Sequence, residues 1–550
     1  MDPIRLFHTV RHLKPAQVYG RIWFRFHRPR PDTSPAPSAR QASGPWRQPP
    51  FKASSFFLPD RFRFLNIERT VSRPTDWNHP EWEKLWLYNL HYFDDLNSAD
   101  ATEKEAAHSA LIRRWIDENP PAKGNGWEPY PTSLRIVNWI KWLMAGHQPA
   151  EGMVHSMAVQ TRYLAGRLER HLLGNHLFAN AKAMYFSGLF FKGSEAEKWL
   201  NKGLRILKRE LREQVLPDGG HFERSPMYHA IIFEDLLDII NLSEAFALGW
   251  RHGSSELVSE CRQKAGSMIG WLKTVSHPDG NMVLFNDAAF GIAASLDQLI
   301  DYGARLGVVT DAAVGALDDL NPSGYIRLEK GPAVAFLDVA PIGPDYLPGH
   351  AHADTLTFEL SLFGRRLIVD SGTSVYGDGP ERQRQRSTAA HNTVEIDGEN
   401  SSEVWGGFRV ARRGRPKDLL IREENGEIRI GCAHDGYRRL PGKPVHRRQW
   451  RLTLRSLTIE DTIAGKFDNA VARLHFHPAV SLEGTGNGII YLPDGNTCRW
   501  RVIGGTETRI VDTTYHPEFG LSLANQCLEI AFTGNQIKTE IDFHPCTSSF

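Results

Sequence analysis

LPGHAHADTLTFELSLFGRRLIVDSGT, residues 347–373, is the stretch on which the fold turns. Apolar side chains recur at every second position from Leu356 to Leu362, the period of a β-strand. Phe363 and Gly364 supply a turn, and a second run, Arg366 to Val369, ends in Asp370. His350, His352 and Asp354 stand just before the first strand. Beyond the second, SVYGDGPERQRQRSTAAHNTV (374–394) brings His391 to the start of a third. Strand ends that each carry a His or Asp are where a sheet can gather metal ligands and catalytic groups.

The same period continues outward. YIRLEKGPAVAFLDV (325–339), EIRIGCAHDG (427–436), QWRLTLRSLTIEDTI (449–463) and ARLHFHPAVSLEG (472–484) alternate apolar and polar residues, with turns such as EENGE and PDGN between strands. Repeated short strands of this kind predict an antiparallel sandwich. Toward the N-terminus the period changes to that of helices. WEKLWLYNLHYFDDL (82–96), SLRIVNWIKWLMAG (133–146) and AEKWLNKGLRILKRELREQV (196–215) place apolar residues three and four apart. Short Gly-, Pro- and Asp-rich joints connect them, which predicts helical hairpins in a ring or superhelix from about 76 to 306. The change of period falls between 305 and 325.

Composition narrows the function classes. The chain has 550 residues, 65 Lys and Arg against 64 Asp and Glu, and a net charge of +1, so no global field recruits nucleic acid or a membrane. No run approaches the ~20 apolar residues of a membrane span. Five widely spaced cysteines (Cys261, Cys432, Cys498, Cys527, Cys546) form no CxxC pair and suggest no disulfide framework. The first 30 residues carry seven Lys or Arg against Asp2 alone and read as a short basic amphipathic helix. It docks on the body of the protein, makes peripheral contact with a membrane surface or binds an acidic partner. Residues 31–56, rich in Pro, Ser and Ala, read as a linker or wrapping arm. No signal-peptide pattern is visible at the N-terminus.

Four constellations carry chemistry. HLLGNHLFANAKA (171–183) sets Asn175, His176 and Asn180 in an apolar helix, where polar side chains need partners or face a cleft. LPDGGHFERSPMYHA (216–230) crowds His221, Glu223, Arg224, Tyr228 and His229 beside a glycine turn. His350, His352, Asp370 and His391 are ligand types that suit Zn²⁺ or a similar ion. In PERQRQRSTAAHN (380–392), alternating Arg382, Arg384 and Arg386 read either as a solvated loop or as bidentate partners for a carboxylated or sulfated sugar.

Taken together, GNHLFANAKA, DGGHFERSPMYH, GHAHAD…DSGT and AAHNTVEIDGENSSEVWGGFRVARR resemble the heparinase II/III family of polysaccharide lyases over roughly residues 80–470. The resemblance implies an α+β multidomain chain: a basic segment and Pro-rich arm (1–56), an incomplete (α/α) toroid (57–315) and an antiparallel β-sandwich (316–550). It implies β-elimination on an acidic, uronic-acid-containing polysaccharide. Asn175, with His176 assisting, would neutralise the uronate. Tyr228 would act as base, acid or both in turn, and His350 as the other acid/base group. Arg224, His221, Glu223 and Arg386 are expected at the substrate. His352, Asp370 and His391 are expected to hold one structural divalent metal, with no organic cofactor. The family points to the cell envelope or periplasm, whereas the missing signal leaves the cytoplasm as the alternative. A role in the producer's own capsule or exopolysaccharide fits that combination. Two rivals stand: a glycoside hydrolase using Asp218 or Glu223 with Asp354, and a non-catalytic polysaccharide-binding or assembly factor.

Overall fold

The computed structural model describes residues 2–246, 254–310 and 312–543. Cys546 lies outside them; Cys261, Cys432, Cys498 and Cys527 are free and buried. The architecture is a helical toroid followed by antiparallel sheets. Helices dominate from Lys84 to Arg305, and the strands of the C-terminal half begin at Leu317.

The helix Gly174–Phe190 is the hub of the toroid. All its residues but one are buried, because its sequence is apolar on every side. The exception is His176. The helices Pro129–Met144 and Ser194–Gln214 flank this hub and bury Trp139, Trp142, Trp199 and Leu207 in one continuous core. Residues 31–56 form an arm, not a free linker. Arg40 donates to the carbonyls of Phe190 and Leu189, Gly44 to that of Ala245, and the Arg47 N–H to Asn241.

In the C-terminal half, strands Leu317–Leu320, Tyr325–Lys330, Ala333–Asp338, Phe358–Leu362 and Arg365–Ile368 form a five-stranded antiparallel meander. Sheets of eight and four antiparallel strands complete the layers, and Trp450, Leu457, Phe358 and Ile530 pack in the core between them. Strand Phe358–Leu362 is buried on both faces, so its polar residues need partners. Glu359 accepts across the domain junction from the Leu284 N–H (2.6 Å) and His277 (3.1 Å), and from Arg366 of the neighbouring strand (3.2 Å). Met227, Leu284, Val369, Tyr515 and Phe519 form a small apolar cluster at the same junction. Tyr228 and Tyr376 pack on that cluster, which sets the site between the two halves.

Candidate active site

Each catalytic candidate sits at the end of an element that fixes it. Asn175 opens the hub helix, directly after Leu173 (φ 67°) and Gly174 (φ 54°). A Cβ on Gly174 would lie 2.4 Å from Leu347 and 2.8 Å from Glu223 Oε1, so only glycine lets these three segments meet. Glu223 Oε1 accepts from the Asn175 backbone N–H (3.2 Å) and side-chain Nδ2 (3.3 Å). Tyr228 lies in the first turn of Pro226–Ala245, where the sequence SPMYH reads as N-cap, N1 proline and helix. The Ser225 hydroxyl accepts from the Tyr228 N–H (3.2 Å) and donates to the Asp287 carbonyl (2.6 Å), tying the helix start to the loop that carries Asp287.

His350 closes the cleft from the sheet side. Its ring lies 4.0 Å from that of Tyr228, and its Nε2 lies 3.4 Å from Asn175 Nδ2 and 3.5 Å from Glu223 Oε2. Its Nδ1 is 2.9 Å from Asp287 Oδ2. A carboxylate on Nδ1 fixes the proton there and leaves the lone pair on Nε2, aimed into the cleft. Asp287 is fully buried. It also accepts from His352 Nε2 (2.9 Å) and takes both guanidinium arms of Arg382, one at 2.7 Å. Burial alone would raise its pKa, but Arg382 and the two imidazoles hold the carboxyl well below the usual carboxylate range.

The remaining electrostatics suit an anion. Burial raises the Glu223 pKa, which lessens negative charge beside His350. Burial disfavours the charged form of His176, but Glu169, 3.2 Å away, outweighs it and raises the pKa. His176 packs on Tyr130 with ring centres 4.5 Å apart, and with Asn175 it places donors and positive charge at a helix N-terminus. The Tyr228 hydroxyl lies 3.2 Å from that of Tyr376. Burial, then Tyr376, pushes the Tyr228 pKa well above its ordinary value, so the resting phenol carries its proton.

A second cluster lies behind Asp287. His352 Nδ1, Asp354 Oδ2 and His391 Nε2 are buried and without hydrogen-bond partners. Ligand atoms of these three residues lie within 4.8 Å of one another. The opposite ring nitrogens are held by carboxylates, His352 by Asp287 and His391 by Asp370 (2.7 Å). Two imidazoles and a carboxylate, each imidazole backed by a second carboxylate, fit a divalent metal. The expected ligand Asp370 lies outside this cluster: its oxygens engage His391 Nδ1 and the Gly372 N–H, and the carboxylate beside the two free ring nitrogens is that of Asp354.

Three expected substrate residues point elsewhere. Arg224, at φ 57°, donates to the Ser323 and Pro322 carbonyls, because the turn directs its side chain away from the cleft. His221 is buried against Gln214. Arg386 is buried and donates to the Ala351, Gly406 and Gly407 carbonyls. The run read as alternating arginines is the helix Pro380–Arg386, whose inner face carries Arg382 and Arg386. Asp287, Tyr376 and Arg382's role on Asp287 were not foreseen. A lone Asp in the apolar VLFNDAAF was the available signal for Asp287, of the same kind that marked Asn175.

Residues 53–304 match the family described as Heparinase II/III N-terminus, and residues 313–544 that described as Heparinase II/III-like, C-terminal. A heparin-sulfate lyase of Bacteroides stercoris is 30% identical over 255 residues, 42% of this chain and 37% of that protein. The chain spans between about a third and a half of the heparin-sulfate lyases it matches. The FtsZ-localized protein C of Caulobacter vibrioides is 24% identical over 499 residues, 83% of this chain and 80% of that protein. The crystal structure of heparinase III superposes with a TM-score of 0.67 at 18% identity, covering 98% of this chain and 86% of that one, a likeness of fold.

Proposed function

The chain belongs to the heparinase II/III family, and from that premise we propose that it is a polysaccharide lyase acting on a uronic-acid polymer by β-elimination. The observation that carries the reading is the meeting of Asn175, Glu223, Tyr228 and the Asp287-oriented His350 in one cleft. Asn175, His176 and the helix N-terminus would bind the uronate carboxylate and lower the pKa of the neighbouring C5–H. His350 Nε2 would take that proton. The C5–H electron pair becomes the C4=C5 double bond, the C4–O4 bond breaks, and O4 leaves with the proton of the Tyr228 hydroxyl. Tyr376 would hold that hydroxyl in line. A hydrolase reading is disfavoured because its acids are already engaged. Asp218 accepts from the Ser323 N–H and hydroxyl, and Asp354 belongs to the buried cluster.

The substrate we propose is the producer's own acidic exopolysaccharide, handled at the cell envelope; the segment preceding residue 53, outside the family match, supports a specialised setting. The test is digestion of heparan sulfate, hyaluronan, chondroitin, alginate and the producer's exopolysaccharide, read by ultraviolet absorbance of unsaturated uronates. Absorbance rising on one polymer is the expected result. New reducing ends without unsaturation would replace the lyase with a hydrolase, and saturable binding without turnover would leave an assembly factor.

The His352–Asp354–His391 cluster is proposed to hold one Zn²⁺ or similar ion, which would neutralise buried carboxylate charge and brace the strand ends beneath His350. Metal-free protein titrated with Zn²⁺ is expected to take up one equivalent. Saturation at a hundred times Kd adds about 2.7 kcal/mol of stability. Asp354→Asn should abolish both the uptake and the thermal shift. Unchanged uptake in that variant would remove the site.

A further inference from the structure

The N-terminal 30 residues form two helices, Pro3–Val10 and Pro15–Phe26, and their two faces differ in kind. One face of the second helix is docked on the toroid. Gln17 donates to the Tyr346 carbonyl (3.0 Å), Phe24 packs against the His171 ring (4.1 Å), and Arg167 covers Phe24 and donates to the His27 carbonyl (2.6 Å). The other face is bare and apolar. Val18, Tyr19, Ile22, Trp23 and Phe26 share one arc of roughly 140° at helical spacing. Tyr19 is 74% exposed, Trp23 61% and Phe26 78%. The first helix buries none of its residues and exposes Ile4, Phe7 and Val10. Such a concentration of exposed large apolar side chains marks a surface that is covered when the protein works.

The charge around the bare face says what covers it. Arg21 and Arg25 border the apolar arc, and Asp2 is the only acid among 30 residues carrying seven Lys or Arg. Between the second helix and the toroid opens a cavity of about 540 Å³. Lys14, Arg170, Lys202 and Arg209 line it, with Tyr19 and Trp23 at the helix side. Its acids, Glu210 and Glu213, already pair with Arg209 and Lys14, while Lys202 donates to the Ala165 carbonyl. Two of the four cations that line the cavity, Arg170 and Lys202, are left over from these pairs, so positive charge on this wall is in excess.

We infer that the N-terminal helix pair docks the chain on an anionic phospholipid surface, the aromatic face entering the interface and the basic cavity beside it receiving a headgroup phosphate. Aromatic rings with flanking arginines are the composition that lies at a membrane interface, and anionic lipid supplies the charge the cavity lacks. The helix also shares the loop of the cleft. Tyr346, held by Gln17 and by Lys14 over its ring, stands four residues before His350. Docking would therefore present the cleft beside the membrane.

The test is co-sedimentation of the full chain with vesicles of phosphatidylglycerol and phosphatidylcholine in equal parts, and with phosphatidylcholine alone. Binding to the mixed vesicles is expected at least about tenfold tighter, weakening with salt. The double variant Ile22→Glu, Trp23→Glu should lose it while keeping its melting temperature, because both side chains are exposed. Arg170→Glu with Lys202→Glu should lose the preference for phosphatidylglycerol. Equal binding to both vesicles, binding unaffected by either variant, or a self-association of the free chain that the first variant abolishes in place of vesicle binding would each overturn the inference. No polysaccharide enters the measurement, so it stands or falls independently of the lyase reading.

Discussion

Tyr228→Phe is expected to lower the formation of unsaturated uronate by about 10²–10⁴-fold, the range spanned by loss of a positioned proton donor. The change removes one oxygen and leaves the ring that packs on His350 at 4.0 Å and on the apolar cluster at the domain junction. Substrate affinity should therefore hold, because Asn175 and His176, the groups proposed to bind the carboxylate, are untouched. The loss should fall on kcat and leave KM nearly unchanged, the signature of an interaction made in the transition state alone. The raised pKa of the Tyr228 hydroxyl gives the argument its direction. A phenol that stays protonated in the resting site can give a proton to O4, whereas a base must first be ionised. A substrate whose O4 leaving group is an activated phenol needs little protonation and should be cleaved by Tyr228→Phe at close to the normal rate. If that substrate is impaired as much as the polymer, Tyr228 is not the acid.

How much of this site could be read beforehand depended on whether a residue's role is local. Asn175, Tyr228 and His350 are each announced by their neighbours: a polar pair in an apolar helix, a capped helix start, a His-x-His before a strand. The two architectures were legible for a similar reason, since a period of 3.6 or 2 is a property of adjacent residues. Direction was not legible. Arg224 sits in a conspicuous loop, but its left-handed backbone turns the guanidinium onto Ser323. Arg382 and Arg386 are four apart behind Pro380, the spacing and N1 proline of a short helix with one inner face. Read as a loop they fit either solvent or a sugar, whereas as a helix they face inward. Asp370, expected as a ligand, instead meets His391 Nδ1, and Asp354 stands beside the free ring nitrogens, because each His offers two nitrogens and only three-dimensional placement decides which one is already bonded.

Asp287→Ala should be the most damaging single change outside the catalytic residues, in stability and turnover together. The carboxylate is fully buried and is the common acceptor for Arg382, His350 and His352. Removing it strands a buried guanidinium, for which the cost is about 3–5 kcal/mol. It also frees the His350 ring and withdraws the group that keeps its Nδ1 protonated, so turnover should fall by about 10²–10⁴-fold. The two effects can be separated. Adding Arg382→Met removes the stranded charge and fills its volume, and the double variant should recover much of the lost stability, measured by denaturant unfolding. It should recover none of the turnover, since His350 remains without its carboxylate. If activity returned along with stability, Asp287 would be a structural counter-ion to Arg382 alone, and the orientation of His350 would have to come from Asn175 and Glu223. If stability did not return, the damage would lie with His352, and the loss should then be matched by His352→Ala and by withholding metal. The outcomes differ because one carboxylate lies between His350 and the buried His352–Asp354–His391 cluster, and each substitution relieves only one of its contacts.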